Sequence, residues 1–305
     1  MKKIICFRNS KLGDYLVSIP ALELIRKKNP KCKIYYLLAQ NYFSPDLPKY
    51  IEKNKIVDEF IYFKHNFIGQ LKLIKNLRKK KFDKFYYLQE KPNLFRETRD
   101  FLFFQLLGIS KMYGFFEKKL NYRNYNESFQ IARRVDKNIN QNELNKLTRL
   151  KNKISKPIYN FKYISLSIGG FSQPEIWKVE NWTILANLVI KKFGYKIIIL
   201  GTKKDIKNAS IISRKNKIFF ISLCGETDVN QLINIIKFSH LHITNDNGSM
   251  HIASLFSKNT ICLFNNHDPV GKWYPTNKNS NVIRSSRGVN KINPYQVFKK
   301  LRDFF

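Results

Sequence analysis

Short apolar runs alternate with amphipathic stretches along almost the whole chain. Residues 3–7 (KIICF), 33–39 (KIYYLLA), 55–63 (KIVDEFIYF) and 82–88 (FDKFYYL) are compact and rich in β-branched or aromatic side chains, as buried strands are. Between them, residues 15–28 place Leu16, Ile19, Leu22 and Ile25 at helical spacing, with Pro20 in the first turns, where a missing N–H disturbs least. Residues 68–80 (IGQLKLIKNLRKK) predict an amphipathic helix, and a helix over 95–107 and a strand near 109–116 continue the pattern. The second half repeats it, with strands at 163–169, 196–200, 218–223, 241–244 and 260–264 and helices at 180–193, 205–215, 228–237 and 249–257. Residues 294–305 read as a last helix able to pack on either half.

Strand and helix in strict alternation predict α/β architecture, with parallel sheets covered by helices. A length of 305 residues suits two domains of about 150 each. Residues 121–160, rich in Asn and Lys, read as an outer helix and connector, which gives an N-terminal domain with connector over 1–160 and a C-terminal domain over 161–305. Ligands of such sheets bind beyond the carboxyl ends of the strands, so chemistry is expected in a cleft between the domains.

Composition narrows the function classes. The formal charge of +34 favours a phosphate-rich partner such as nucleic acid, an anionic bilayer or a nucleotide-linked substrate, although the abundance of Lys, Asn and Ile also fits a genome-wide compositional bias. A nucleic-acid-binding module is the alternative that this charge suggests, but no recognisable single-strand or helix-turn-helix motif accompanies it, and no specific nucleic acid is expected. Cys6, Cys32, Cys224 and Cys262 are widely spaced in apolar runs, unlike close zinc-binding pairs, and read as reduced thiols. The N-terminus lacks a signal-peptide pattern, and no run reaches the roughly 18 apolar residues of a membrane span, so cytoplasmic residence is expected.

Three strand exits carry candidate chemistry. In Ser10-Lys11-Leu12-Gly13-Asp14, Gly13 permits close backbone approach, while Asp14 is either a helix cap or a catalytic base. The spaced glycines of a dinucleotide fingerprint are absent there. Thr244-Asn245-Asp246-Asn247-Gly248-Ser249-Met250-His251 sits between a strand and a helix, where unpaired backbone donors meet an anion, or where a capped helix simply begins. Like charge sets Asp246 against direct contact with a pyrophosphate, and His251 either orients a phosphate or packs in the core. The third exit runs from Ser167 through Gly169 and Gly170 to Glu175, Trp177 and Lys178; Lys178 is placed to neutralise a diphosphate, while Trp177 and Trp182 read as helix anchors. Asp268, in Asn265-Asn266-His267-Asp268-Pro269, is a sugar contact or an Asx turn. No HExxH, Walker A or serine-elbow motif occurs, and His240, His242 and His251 are poorly arranged for a metal.

Together these residues resemble glycosyltransferase family 9, the lipopolysaccharide heptosyltransferases. FRNSKLGDYLVSIPALELIRKKNP is similar to the family's Gly-Asp loop and Pro-Ala-Leu helix, and CGETDVNQLINIIKFSHLHITNDNGSMHIASLF to its G-x-T-x-x-x-x-L and D-x-G-x-x-H-x-A elements. The resemblance implies the GT-B fold, two Rossmann-like domains with parallel sheets facing an interdomain cleft, acceptor on the N-terminal side and nucleotide sugar on the C-terminal side. It implies that Asp14 is the catalytic base, that Asn247, Gly248, Ser249, His251 and Lys178 surround the donor phosphates, and that Asp205 meets the ribose. Lys11, Gly13, Asp246 and Asp268 then contact acceptor or order loops. Two positions depart from the family pattern: its Lys-x-Trp-Pro element reads Glu175-Ile176-Trp177-Lys178, and its Gly-Pro-Thr-Asp-Pro stretch keeps only Asp268-Pro269. The implied reaction is inverting transfer of heptose from ADP-heptose to a Kdo–lipid A or heptosyl inner-core acceptor. No metal or other cofactor is expected, and peripheral contact with the cytoplasmic face of the inner membrane is. A transferase using another NDP-sugar for a different surface glycan is the alternative.

Overall fold

The computed structural model describes residues 1–9, 12–39, 56–64, 66–90, 93–147, 156–170, 175–214 and 217–305. The chain divides into two compact units, Met1–Thr148 and Arg149–Phe305, the change falling inside the segment that the pattern reads as a connector.

The first unit is a five-stranded parallel sheet of β1 (Lys3–Phe7), β2 (Lys33–Ala39), β3 (Glu59–Phe63), β4 (Lys84–Tyr87) and β5 (Lys111–Tyr113), in the order β3-β2-β1-β4-β5. Helices α2 (Phe67–Lys80) and α3 (Leu94–Gln105) bury Leu73, Leu77 and Phe104 with strand residues Ile5, Leu37 and Phe85 in one core. Helix α1 (Leu12–Lys28) packs with α4 (Glu127–Val135) and α5 (Gln141–Leu147) through Leu24, Phe129 and Leu144. The 121–160 segment thus supplies two helices rather than one.

Two details of α1 correct the sequence reading. The helix opens at Leu12 rather than near Tyr15, so Pro20 stands in the middle of 17 residues and not in the first turns. The helix continues through it because the surroundings hold it: Tyr15, Leu16, Ile19, Leu22 and Ile25 are buried, and the Ser128 hydroxyl donates to the Val17 carbonyl at 2.9 Å. Tertiary packing offsets the local cost of the proline.

The second unit has six parallel strands, β6 (Tyr163–Ser167), β7 (Lys196–Leu200), β8 (Phe220–Ser222), β9 (Leu241–Asn245), β10 (Thr260–Phe264) and β11 (Ser280–Arg284), ordered β11-β10-β9-β6-β7-β8. Helices α6 (Val179–Phe193), α7 (Ile206–Ser213), α8 (Val229–Phe238), α9 (Gly248–Leu255) and α10 (Pro294–Leu301) cover it. β6, β9 and β10 are buried along their whole length, as the inner strands of a doubly covered sheet should be. β11, which the apolar pattern misses, is an edge strand with only Ile283 buried, so its sequence SNVIR lacks a strong signal. The C-terminal helix packs within this unit, through Val297 and Leu301.

The abundant Asn has a structural use. Asn66, Asn93, Asn126, Asn247 and Asn293 each cap a helix, the side-chain oxygen accepting from a backbone N–H in the first turn. In both sheets the strand order reverses beside the first strand, between β1 and β4 and between β6 and β9, and a crevice opens there at the carboxyl ends.

Candidate functional site

In the first unit the reversal point is built on a buried charge. Arg8 directly follows β1 and is almost wholly inaccessible to solvent. Its guanidinium donates to the Leu88 carbonyl just past β4 at 2.8 Å, pairs with Asp14 at 3.1 Å, and reaches Glu127 of α4 at 3.5 Å. Burial works against the charge on Arg8, but the carboxylates of Asp14 and Glu127 outweigh it and hold Arg8 above its ordinary value. Glu127, more deeply buried, is pushed upward by desolvation despite Arg8 and Arg134, and accepts from the Tyr122 hydroxyl at 2.9 Å.

Asp14 is the third residue of α1, so it lies inside the first turn rather than at the capping position. Its carboxylate is 32% exposed, and Arg8 ties it to the strand ends. Gly13 precedes it in the same turn, and Lys11 lies outside the described residues. Sequence reading did not single out Arg8 or Glu127; the signal available for Arg8 was a cation immediately after an apolar strand.

A pocket of about 700 Å³ opens in this unit, its walls including Asn9, Gln89, Arg96, Arg99 and Phe103. Asp100 organises one wall by accepting from both Tyr87 at 2.8 Å and Arg99 at 2.7 Å. The pocket thus offers amides, cations and aromatic surface together with the carboxylates of Glu90 and Asp100, a lining suited to a hydroxylated ligand.

The second unit clamps its reversal point with side-chain amides. Asn245, the last residue of β9, donates to the Ile168 carbonyl at 2.8 Å, and Asn247 donates to the Gly169 carbonyl at 2.8 Å, so the ends of β6 and β9 are clamped together. The Asn247 side-chain oxygen accepts from the Ser249 N–H at 2.9 Å and from the Ser249 hydroxyl at 2.6 Å. Helix α9 therefore starts at Gly248, directly after β9, and its positive end lies at the carboxyl ends of the strands. Gly169 is also in contact with Asp205: a Cβ there would lie 2.7 Å from the Asp205 carboxylate. That carboxylate accepts from both the Thr202 N–H at 2.7 Å and the Thr202 hydroxyl at 2.9 Å, which locks the turn after β7.

Behind this loop lies His242, a residue that sequence reading weighed only as a poor metal ligand. It is fully buried in β9, with Nδ1 at 2.8 Å from the Ser165 hydroxyl and Nε2 at 3.0 Å from that of Ser249. Burial, with the nearby charge of Lys258, lowers it to about 3, so the ring is neutral at physiological pH. Because the Ser249 hydroxyl donates to Asn247, it accepts from His242 Nε2–H, and Nδ1 accepts from Ser165. A line of hydrogen bonds thus runs from β6 through β9 to the start of α9, and it carries no net charge.

The remaining predicted residues separate into two groups. Asp246 is half-buried, and its carboxyl is pushed up to about 8 by burial and by the neighbouring carboxylates of Glu175 and Asp268, against the opposing influence of Lys272 and Arg284. Asp268 pairs with Lys272 at 3.3 Å. Lys178 is exposed at the N-cap of α6, where its side chain makes no capping bond, and His251 is half-buried in the first turn of α9. Trp177 and Trp182 are buried edge-to-face at 5.0 Å, with Trp177 Nε1 donating to the Ile292 carbonyl, so both anchor the helix as expected.

Comparison with known proteins places these features in a family. The family model for glycosyltransferase family 9 (heptosyltransferase) matches residues 115–300, more than half of the chain, which takes in the second unit but does not reach Asp14. Lipooligosaccharide heptosyltransferase 2 of Haemophilus ducreyi is 33% identical over 92 residues, covering 29% of this chain and 26% of that protein. The chain thus matches only about a quarter of the length of that curated relative. Among solved structures, E. coli ADP-heptose lps heptosyltransferase II superposes with a TM-score of 0.74 at 20% identity, covering 100% of this chain and 98% of that one. E. coli heptosyltransferase WaaC with ADP gives a TM-score of 0.74 at 14% identity, with 100% of each chain covered. The likeness identifies the two parallel-sheet units as a GT-B fold. The chain belongs to glycosyltransferase family 9, the heptosyltransferases.

Proposed function

We propose that this protein is an inverting glycosyltransferase that moves heptose from ADP-heptose to a lipopolysaccharide inner-core acceptor, either Kdo–lipid A or a heptosyl group. Family membership supports sugar transfer, and a structural relative solved with ADP supports the nucleotide. The observation that carries the reading is the start of α9: Gly248 opens the helix at the reversal point of the second sheet, with Asn247 capping the Ser249 N–H, on a loop fixed from behind by neutral groups.

In this reading Asp14 accepts the proton of the acceptor hydroxyl while its oxygen attacks the anomeric carbon from the face opposite the diphosphate. The carbon–oxygen bond to the diphosphate breaks, the configuration inverts, and ADP departs with the electron pair. Arg8 is the positioning residue that sets the Asp14 carboxylate. Gly248 and Ser249 hold the departing phosphates, Lys178 contributes a cation, and His251 orients the phosphate side. Asp205 serves the ribose side through the turn it fixes. Asp246 and Asp268 order the donor loop, Lys11 and Gly13 line the acceptor side, and the pocket bearing Arg96 and Arg99 takes an anionic glycolipid headgroup. The setting is the cytoplasmic side of the inner membrane.

One observation favours a second reading within the same class. Glu175 stands where the family has a lysine, and it adds negative charge beside Asp246 and Asp268; in this reading the donor carries a sugar or nucleotide other than the family's usual one, for a different surface glycan. Intact-mass analysis of core glycolipids incubated with ADP-heptose and with ADP-, UDP-, GDP- and dTDP-linked hexoses separates the two. Added heptose from ADP-heptose alone is the expected result. Preferential transfer from a UDP-hexose overturns the heptose reading, and absence of transfer from every donor overturns the enzyme reading.

A further inference from the structure

Two neighbouring helices of the first unit present large apolar side chains to solvent. On α2, Ile68 is 61% and Leu71 55% exposed; on α3, Phe95 is 78% and Leu102 57% exposed, and Leu106 follows at its end. Phe95, Leu102 and Leu106 recur at helical spacing and so share one stripe. Both helices bury their opposite faces in the same core, and between them runs a groove of about 490 Å³ floored by Ile74 and Phe103 and edged by Leu71 and Leu106. Leu71 and Leu106 therefore border one groove, and the stripe of Leu102 and Phe95 runs on along α3 from Leu106.

The charge around that surface has one sign. Every charged side chain that α2 exposes is cationic, namely Lys72, Lys75, Arg78 and Lys79, and the helix contains no acid. On α3 the exposed ionic side chains are Arg96 and Arg99, while Glu97 is buried and Asp100 half-buried. No described helix is long and apolar enough to cross a membrane. Apolar groups at the centre, with long cationic side chains able to extend around them, suit the headgroup boundary of an anionic bilayer. A second copy docking by the same face would bring like charges together.

We propose that the α2–α3 face is a docking surface for an anionic phospholipid bilayer, with Phe95, Leu102 and Leu71 entering the headgroup boundary and Lys72, Lys75 and Lys79 pairing with lipid phosphates. The groove shares Gln70 and Phe103 with the pocket that bears Arg96 and Arg99, so a glycolipid held in the same bilayer would present its sugars beside that pocket. That last step rests on the acceptor reading above; the docking does not.

The test is co-sedimentation of the full chain with vesicles of phosphatidylglycerol and phosphatidylethanolamine, against vesicles of phosphatidylcholine, at physiological salt. Three variants are compared: Phe95→Ser with Leu102→Ser; Lys72→Glu with Lys75→Glu and Lys79→Glu; and, as a remote control of equal charge change on the second unit, Lys191→Glu with Lys204→Glu and Lys207→Glu. Thermal unfolding verifies each fold, and either α2–α3 variant carries the test if the other fails to fold. The α2–α3 variants are expected to lose at least about tenfold in partition to anionic vesicles, and the control less than about twofold. An equal loss in the control, or full binding by a folded α2–α3 variant, overturns the proposal in favour of adsorption by net charge. Sedimentation velocity that finds a wild-type dimer abolished by Phe95→Ser with Leu102→Ser assigns the face to a second copy and also overturns it. The assay reads no sugar transfer, so it fails or succeeds independently of the catalytic reading.

Discussion

The reversal points of the two sheets have the same topology and are clamped by different chemistry. At the first, a buried guanidinium, Arg8, joins a partly exposed carboxylate, Asp14, to a deeply buried one, Glu127. At the second, amides, hydroxyls and a neutral imidazole hold the loop, and the acid within it, Asp246, is pushed up to about 8 by burial and neighbouring carboxylates. The difference teaches what each place is suited to handle. A group that takes up a proton needs charge held in a fixed position, whereas a cradle for an anion works best when its own side chains are neutral and its backbone supplies the donors.

The strongest test of that contrast is at the charged end. Asp14→Asn keeps the size of the side chain and removes its basicity, so kcat should fall by about 10²–10⁴-fold while ADP affinity, measured by calorimetry, stays within about twofold. Near-normal turnover by the folded variant would remove Asp14 from the base role.

Arg8→Met comes next. It leaves Glu127 buried beside Arg134 without its second cation, and a loss of about 3–5 kcal/mol in denaturant unfolding is expected. Adding Glu127→Gln should restore part of that stability, because the stranded charge is gone, but not the turnover, because Asp14 still lacks its anchor. Recovery of turnover in the double variant would show that Arg8 acts on the fold and not on Asp14.

At the neutral end, Asn247→Ala removes a helix cap and a bond to the Gly169 carbonyl together. Stability should fall by about 1–2 kcal/mol, and donor KM should rise about tenfold with little change in kcat, since the cradle is loosened rather than recharged. A fall in kcat without a rise in KM would instead place Asn247 in the transition state alone.

These residues differ in how far the sequence could disclose them. The apolar runs placed most strands and the exits that carry Asp14 and Asn247, because inner strands of parallel sheets are buried on both faces and show it in composition. The start of α9 was legible because Asn-Gly-Ser after a strand has few local alternatives. β11 was not, since an edge strand needs little apolar surface. Nor was the partnership of Arg8 with Glu127, which joins positions 119 residues apart and is set by α4 folding back beside α1. His242 read as one residue of a buried strand; its hydroxyl partners, Ser165 and Ser249, come from another strand and the next helix. Local pattern reports which face of an element is buried, while the polar groups that meet across elements follow from topology.

Asp246→Asn has the smallest expected effect at low pH, and the growth of that effect with pH bears most directly on the contrast. An aspartate in the unfolded chain titrates near 3.9, whereas Asp246 in the folded protein is pushed up to about 8. Between those values the unfolded state binds fewer protons, so Asp246 lowers the stability of the wild type progressively as pH rises through the window. Asparagine carries no charge to lose. Near pH 4 the two proteins should therefore melt within about a degree of each other, and the variant's advantage over the wild type should grow steadily as pH rises toward about 8. ADP affinity should diverge over the upper part of the same range: the wild type acquires negative charge beside the phosphate site and weakens, while the variant does not. A stability difference independent of pH would mean that burial and the carboxylates of Glu175 and Asp268 do not hold the proton on Asp246, and the loop at the second reversal point would then carry a further negative charge.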